Sequence, residues 1–243
     1  MDKKRFKYSL FSFIALLAFV GVEAPVLASY SQQHHEFISD DIENIWETDP
    51  VGFSIFLERV EERLPSYEKY FREASKDLDV HWTFIAAISY QESHWDPKAI
   101  SNTGVRGMMM LTQKTAKEMG IQKRTNAKES IIGGANYFQK NLDRLPIAIP
   151  KQDRMWMALA SYNLGYVNIN LARELTQKNH ANPNLWSHVS IYLPEVLLDR
   201  YGKELEEPPK HLEALDYVER IKLYYKTLSI LQRENEMHLL AKN

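Results

Sequence analysis

The sequence of 243 residues contains no cysteine. This absence excludes disulfide bonds, thiolate-based zinc or iron–sulfur sites, thiol catalysis and a lipid anchor attached through cysteine. Glycine is also scarce, with nine residues, so a glycine-rich phosphate-binding loop has little material. The net charge of −2 provides no strong positive field, and nucleic acid is therefore not an expected partner. What is present, 44% hydrophobic and 26% charged residues, is typical of a folded globular chain.

The first 28 residues are predicted to be a signal peptide. Four basic residues precede an apolar run at residues 8–22, and Val26 and Ala28 suit a signal peptidase. An uncleaved membrane anchor is the alternative, but the run is shorter than the ~20 residues that span a bilayer. We therefore expect export to the periplasm or cell envelope, with peripheral attachment to the outer membrane left open.

The remaining chain predicts an all-α protein. Apolar residues recur at i, i+3, i+4 and i+7, and no convincing alternating strand is present. Residues 80–94 are apolar almost all round and predict a buried core helix. Four prolines within residues 183–210 predict a long irregular stretch with short helices. Further helices are predicted at about residues 53–64, 67–78, 112–119, 130–145, 152–164, 168–177 and 212–240.

A metal centre is not predicted. The eight histidines are scattered along the chain, and none forms a His-Glu-x-x-His motif or another ligand spacing on one helix. A Gly-x-Ser-x-Gly nucleophile motif is also missing from the sequence. The chemistry, if there is any, has to come from other side chains.

Glu92 is the strongest candidate for such chemistry. It lies at the end of the predicted core helix, near apolar residues such as Ile85, Ile88 and Trp95. Burial disfavours the charged carboxylate, and the negative end of the helix dipole acts in the same direction. Both effects raise the pKa, as a general acid working near neutral pH requires. A solvated glutamate at a helix end is the plainer alternative.

Three further segments bear on that choice. Gly104 and Gly107 allow a tight loop, which continues into three methionines that offer adaptable apolar surface. Tyr162 and Asn163 lie in the last turn of a predicted helix, where they suit either sugar binding or capping. Tyr217 lies on an amphipathic segment, in which a core tyrosine is the ordinary interpretation.

In this order and spacing, the segments resemble the soluble lytic transglycosylase (SLT) domain, and within it the F-type murein transglycosylases. The likeness covers roughly residues 65–230. It implies an all-α, goose-lysozyme-like helical domain of the lysozyme-like superfamily. The matching motifs are Glu92-Ser93-His94-Trp95-Asp96-Pro97, Gly104-Val105-Arg106-Gly107-Met108-Met109-Met110-Leu111-Thr112, Ser161-Tyr162-Asn163 and Tyr217-Val218-x-x-Ile221.

The resemblance assigns a role to each of these positions. Glu92 matches the sole catalytic acid/base of the family, and Tyr217 matches a tyrosine whose hydroxyl approaches that carboxyl. The implied substrate-binding residues are Ser93, Gly107, Met108, Met110, Tyr162, Asn163 and Tyr217. Many family members have glutamine where Met110 stands, although the methionine triplet is found in the F-type subgroup.

The resulting domain plan is shorter than that of the F-type enzymes. We expect a signal peptide at 1–28, a helical or linker segment at 29–64, the SLT domain at 65–235 and a tail at 236–243. The F-type enzymes also carry a large N-terminal domain that resembles solute-binding proteins. Residues 29–64 are too few for that domain, so its regulation and membrane attachment are not expected here.

The resemblance implies a lytic transglycosylase, which cleaves the β-1,4 bond between N-acetylmuramic acid and N-acetylglucosamine without water and forms 1,6-anhydro-muropeptides. This chemistry needs one carboxyl and neither a metal nor an organic cofactor. Ordinary glycosidases use two carboxylates, and Asp96, which precedes Pro97, is predicted to be a turn residue. A lysozyme-type hydrolase and a catalytically inactive peptidoglycan-binding module are the alternatives. Peptidoglycan strands are the implied partner; no protein partner is deducible, and a monomer is expected.

The signal-peptide interpretation makes a direct prediction. Native protein purified from the producing cells is expected to begin at Ser29, because the peptidase site ends at Ala28. Sequencing of its N-terminus checks this. Recovery of peptides that contain Lys3 from an integral membrane fraction would instead indicate the uncleaved anchor.

Overall fold

The computed structural model describes residue 42, residues 45–201 and residues 210–241. The predicted signal peptide, residues 29–41, 43–44 and 202–209, and the last two residues lie outside these ranges. The helices within them are α1 (Pro50–Glu62), α2 (Leu64–Ser75), α3 (Trp82–Ser93), α4 (Gln113–Glu118), α5 (Ala127–Asp143), α6 (Lys151–Leu164), α7 (Tyr166–Lys178), α8 (Trp186–Tyr201) and α9 (Lys210–Ala241).

The all-α prediction is confirmed. Within the described ranges the extended structure is limited to two isolated bridges, Ile100 to Arg106 and Arg106 to Leu111, in the loop after α3. None of the described helices combines the length and the hydropathy that a bilayer-spanning segment requires.

The chain divides into two compact units, Met1–Ser54 and Ile55–Asn243. In the first, the Trp46 ring stacks on Phe53 with centroids 5.5 Å apart, and Asp49 Oδ1 accepts the Gly52 N–H at 2.8 Å. The second, which we call the main unit, contains the rest of α1 and all later helices.

Helix α3 forms the centre of the main unit. All of its residues except Gln91 and Glu92 are buried, which confirms the predicted core helix. It begins after His81, whose ring accepts the Thr83 N–H, and it ends at Ser93. Helices α2, α5 and α9 pack around it. Burial on every side removes most freedom from α3, so that a side chain at its end is held on a rigid support.

Several predicted boundaries shift by one to three residues. Pro65 was expected to end the first helix, but α1 already ends at Glu62, and Pro65 lies in the first turn of α2, where its missing N–H is not needed. Helix α5 begins three residues before the predicted start because the Asn126 side chain caps it, accepting the Glu129 N–H at 3.0 Å. Helix α9 continues through residues 236–241, which were assigned to a tail.

The predicted irregular stretch at 183–210 is wrong over most of its described part. Residues 186–201 form the continuous helix α8, with Pro194 inside it. A proline in a helix interior costs about 3 kcal/mol. This cost is offset because α8 buries apolar side chains at helical spacing against its neighbours. These are Trp186, Val189, Leu193, Val196 and Leu197.

Replacement of Pro194 by alanine is expected to stabilise the protein. The substitution restores a backbone N–H inside α8 and removes the proline clash, so the unfolding free energy should rise by about 1–2 kcal/mol. Pro65→Ala is the matched control, because proline fits the first turn of α2 and no gain is expected there. Urea unfolding curves of both variants measure the difference, and a less stable Pro194→Ala would contradict it.

Candidate active site

The candidate site is built around the Glu92 carboxyl at the end of α3. Glu92 is half-buried, and its Oε1 accepts a hydrogen bond of 2.6 Å from the Tyr217 hydroxyl. Tyr217 belongs to α9 and is 5% exposed. The two residues are 125 positions apart in the chain. They meet because α9 packs along α3.

Burial and this hydrogen bond act in opposite directions on the carboxyl. Burial raises the pKa of Glu92 from its ordinary value of 4.5 to about 7, although the Tyr217 hydrogen bond lowers it. The raised pKa expected from the sequence is thus confirmed. Burial, and then the charge of Glu92, raises the pKa of Tyr217 well above its usual value, so the phenol remains a donor. At neutral pH, Glu92 is therefore divided between its acid and carboxylate forms.

A second buried tyrosine lies close to the same carboxyl. Burial raises the pKa of Tyr162 well above its usual value, and the charges of Glu92 and Tyr137 add to the effect. The Tyr162 hydroxyl donates to the Met109 carbonyl at 2.7 Å. Its ring lies 5.1 Å from the Tyr137 ring. Tyr162 thus ties the end of α6 to the loop that follows α3.

Two serines on α3 form hydrogen bonds to the same loop. The Ser93 and Ser89 hydroxyls donate to the Met108 carbonyl at 2.9 and 3.0 Å. From α5, the Ser130 hydroxyl accepts the Met109 N–H at 3.2 Å. Ser93 was expected to orient groups in a cleft; the structure gives it a hydrogen bond to the loop backbone.

Gly107 occupies a position that no other residue fits. Its φ is +85°, and a Cβ there would lie 1.8 Å from the Arg124 carbonyl oxygen. The Arg124 side chain in turn donates to the Leu111 carbonyl at 2.9 Å. The Gly104–Gly107 spacing of the sequence therefore reflects close backbone approach at Gly107, which fixes the path of the loop.

The three methionines have different environments. Met108 and Met109 are fully buried, whereas Met110 is half-buried and has a positive φ of 43°. A ligand contact was predicted for Met108 and Met110. Of these two side chains, only that of Met110 is partly exposed and able to contact a ligand. The Met108 side chain packs in the core, and the Met108 carbonyl accepts hydrogen bonds from the two serines.

Asn163 completes the predicted set of site residues, and Asp96 is the acid that the sequence assigns to a turn instead. Asn163 is exposed at the end of α6, next to the buried Tyr162. Asp96 Oδ1 accepts the Lys98 N–H at 2.8 Å, so it serves as the turn residue that the sequence predicts. In the described part of the chain, no cluster of three histidine or acidic side chains could hold a metal.

The sequence interpretation missed the polar residues that hold the site together: Ser89, Arg124, Ser130 and Tyr137. One of them had a visible signal. Ser89 lies four residues before Ser93 on the same face of a largely apolar helix, and two buried hydroxyls there each need a hydrogen-bond partner. The partners of the others depend on tertiary contacts.

This arrangement belongs to a known class. Residues 69–185 match the transglycosylase SLT domain, a lysozyme-like all-α family. This matched segment contains Glu92, the glycine–methionine loop and Tyr162–Asn163, and it belongs to that family. The family resemblance drawn from the motifs is confirmed.

Relatives of the chain are proteins named membrane-bound lytic murein transglycosylase F. The chain is 47% identical to the one from Shewanella oneidensis over 181 residues, which are 74% of this chain and 37% of that protein. It is 42% identical to the one from Saccharophagus degradans over 202 residues, 82% of this chain and 40% of that protein. Membrane-bound lytic murein transglycosylase F 1 from Alkalilimnicola ehrlichii is 45% identical over 190 residues, 77% of this chain and 38% of that protein. The chain thus spans about two fifths of the length of these relatives.

Removal of the Tyr217 hydroxyl is expected to raise the pKa of Glu92 above its value of about 7. The hydroxyl stabilises the ionised carboxylate, and Tyr217→Phe leaves burial without that compensation. An NMR pH titration of the Glu92 side-chain carboxyl measures the shift. Tyr225→Phe is the control, because Tyr225 lies on the same helix but packs on Phe84. A Glu92 pKa that stays the same or falls in Tyr217→Phe would show that the hydrogen bond does not stabilise the carboxylate.

Proposed function

We propose that this protein is a peptidoglycan lytic transglycosylase with Glu92 as its acid/base. It would cleave the β-1,4 bond between N-acetylmuramic acid and N-acetylglucosamine and release 1,6-anhydro-muropeptides. The observation that carries the proposal is the Glu92 carboxyl of the SLT segment 69–185, whose pKa is about 7 and which accepts a hydrogen bond from the buried Tyr217. The names of the relatives, which are murein transglycosylases, support it. The substrate also places its action in the cell envelope.

The first step is protonation of the leaving oxygen. Because Tyr217 donates to Oε1, the second oxygen of neutral Glu92 is the one that carries the transferable proton. Transfer of this proton to the bridging oxygen lets the bond to C1 of the muramyl residue break. The neighbouring acetamido group stabilises the positive charge that develops on C1.

The second step returns the proton. The ionised Glu92 takes the proton of the muramyl C6 hydroxyl while O6 forms a bond to C1, which closes the anhydro ring without water. Glu92 is then neutral again and ready for another cycle. A carboxyl that acts first as acid and then as base works best with a pKa near the working pH, and burial supplies that value.

A single carboxyl favours this reaction over hydrolysis by a carboxylate pair. Burial raises the pKa of Glu92 and the Tyr217 hydrogen bond lowers it, and Asp96, the nearest acid in the sequence, is engaged in a turn. Retaining glycosidases place two carboxyls about 5 Å apart and inverting ones about 6.5–9.5 Å apart. We therefore assign no second catalytic carboxylate, and we assign substrate contacts to the exposed Asn163 and the half-buried Met110.

Glu92→Gln is expected to fold, to bind peptidoglycan and to release essentially no anhydro-muropeptides. Glutamine keeps the shape and accepts the Tyr217 hydrogen bond but has no proton to transfer. Mass spectrometry of digested sacculi checks this and separates the alternatives. Products with free reducing ends would indicate a hydrolase, whereas binding without products from the wild type would indicate a binding module.

The pH dependence provides the control for this assignment. Wild-type turnover should fall as the pH rises through about 7, because the acid form of Glu92 is lost. The native state holds this proton more tightly than the unfolded state, so wild-type stability also falls between pH 4.5 and 7. Glu92→Gln lacks this loss and should be more stable than the wild type above pH 7 by on the order of 2 kcal/mol.

Asp96→Asn should keep most of the wild-type activity, because Asp96 is engaged in a turn.

A further inference from the structure

The turn that follows Glu92 holds two consecutive residues in the left-handed backbone region. His94 has a φ of 52° and Trp95 a φ of 59°. Residues with a Cβ persist there only where surrounding contacts fix them. The first contact that fixes the turn lies in the core, where the Trp95 ring is fully buried and its Nε1–H donates to the Ala86 carbonyl at 2.9 Å. A second contact holds the turn from outside α3.

Arg63, at the junction of α1 and α2, makes this second contact. Its Nη1 donates to the His94 carbonyl at 3.0 Å. The Arg63 backbone is itself fixed, because its N–H donates to the Arg59 carbonyl at 2.9 Å and its carbonyl accepts the Ser66 N–H at 3.2 Å. The guanidinium thus lies on a rigid support beside the negative end of α3, where a cation is favoured.

Arg59, one turn earlier on α1, contacts α3 on the other side of Glu92. Its Nη1 donates to the Tyr90 hydroxyl at 3.2 Å. Tyr90 lies two residues before Glu92, and His94 lies two residues after it. The two arginines are four residues apart and share one helix face. They therefore bracket the last turn of α3.

Phe56 on the same face extends the contact to α9. Its fully buried ring lies 4.7 Å from the Tyr90 ring and 5.3 Å from the Tyr224 ring. Tyr224 is seven residues, or about two helical turns, after Tyr217. The C-terminal part of α1 thus touches both helices that meet at the Tyr217–Glu92 hydrogen bond.

We propose that Arg63 and Arg59 are positioning residues for Glu92. By holding the strained turn and the last turn of α3, they keep the Glu92 carboxyl against the Tyr217 hydroxyl. The expected effect of the arginines on turnover rests on the proposed function, whereas their expected effect on the backbone after Glu92 does not. Both arginines precede the matched segment 69–185, so this positioning is supplied from outside it.

The test uses Arg63→Gln in the full chain, with Arg63→Lys as the rescue variant. Arg63→Gln loses the cation and the reach to His94, so amide hydrogen exchange at residues 90–95 should become several-fold faster. The kcat for anhydro-muropeptide release should fall by about tenfold or more with KM within about twofold, since misplacement by ~1 Å can cost ~100-fold. Arg63→Lys should recover most of both. Lys69→Gln, an exposed cation on α2, is the control and should change neither.

The two readouts separate this proposal from the proposed function. Unchanged exchange at residues 90–95 in Arg63→Gln would overturn the positioning role, and so would faster exchange with unchanged kcat. If the wild type releases no anhydro product, the proposed function fails, and the exchange data alone decide whether Arg63 holds the turn. If Arg63→Gln does not fold, Arg59→Gln takes its place with the same expectations, because the Tyr90 contact brackets the same turn.

Discussion

The hydrogen bond between Tyr217 and Glu92 is the contact on which the arrangement of the site depends. A carboxyl in a buried position is costly to ionise, and a phenol that donates to it reduces this cost without removing it. The outcome is a pKa of about 7 rather than one near 4.5 or far above neutrality. Such a balance requires both partners to be fixed. A phenol displaced by 1 Å would no longer form a hydrogen bond of 2.6 Å.

The packing around α3 fixes the Glu92 side of this hydrogen bond. A helix that is buried on nearly all sides cannot rotate or slide without opening cavities, so its last residue has a defined place. The loop over this helix is fixed by a different kind of contact. Buried hydroxyls of Ser89, Ser93 and Tyr162 donate to the carbonyls of Met108 and Met109. Each of these donors would be costly to leave unpaired, and each is paired with backbone that no side-chain substitution removes.

The sequence predicts those features that depend on local pattern. Most residues of α3 are apolar, and Glu92 lies in its last turn, so the burial of the helix and of the environment of Glu92 follows from the local pattern. Helix α8 was not predicted, because a proline indicates a helix break when only the local sequence is considered. The five apolar side chains that offset the cost of Pro194 act through tertiary packing, which the local sequence does not show. The same reason hides Ser130 and Arg124. Their partners lie 21 and 13 residues away, and nothing in their own neighbourhood distinguishes them from ordinary polar residues.

The site also shows that a family segment and a physical unit have different limits. Residues 69–185 contain Glu92, the loop and Tyr162, but Tyr217 lies on α9, after that segment, and Arg59 and Arg63 lie before it. The Tyr217 hydrogen bond that lowers the pKa of Glu92 thus comes from outside 69–185. The carboxyl chemistry therefore belongs to the main unit Ile55–Asn243. The helices of this unit that flank the matched segment do more than enlarge the core. They also set the proton affinity and the position of the Glu92 carboxyl.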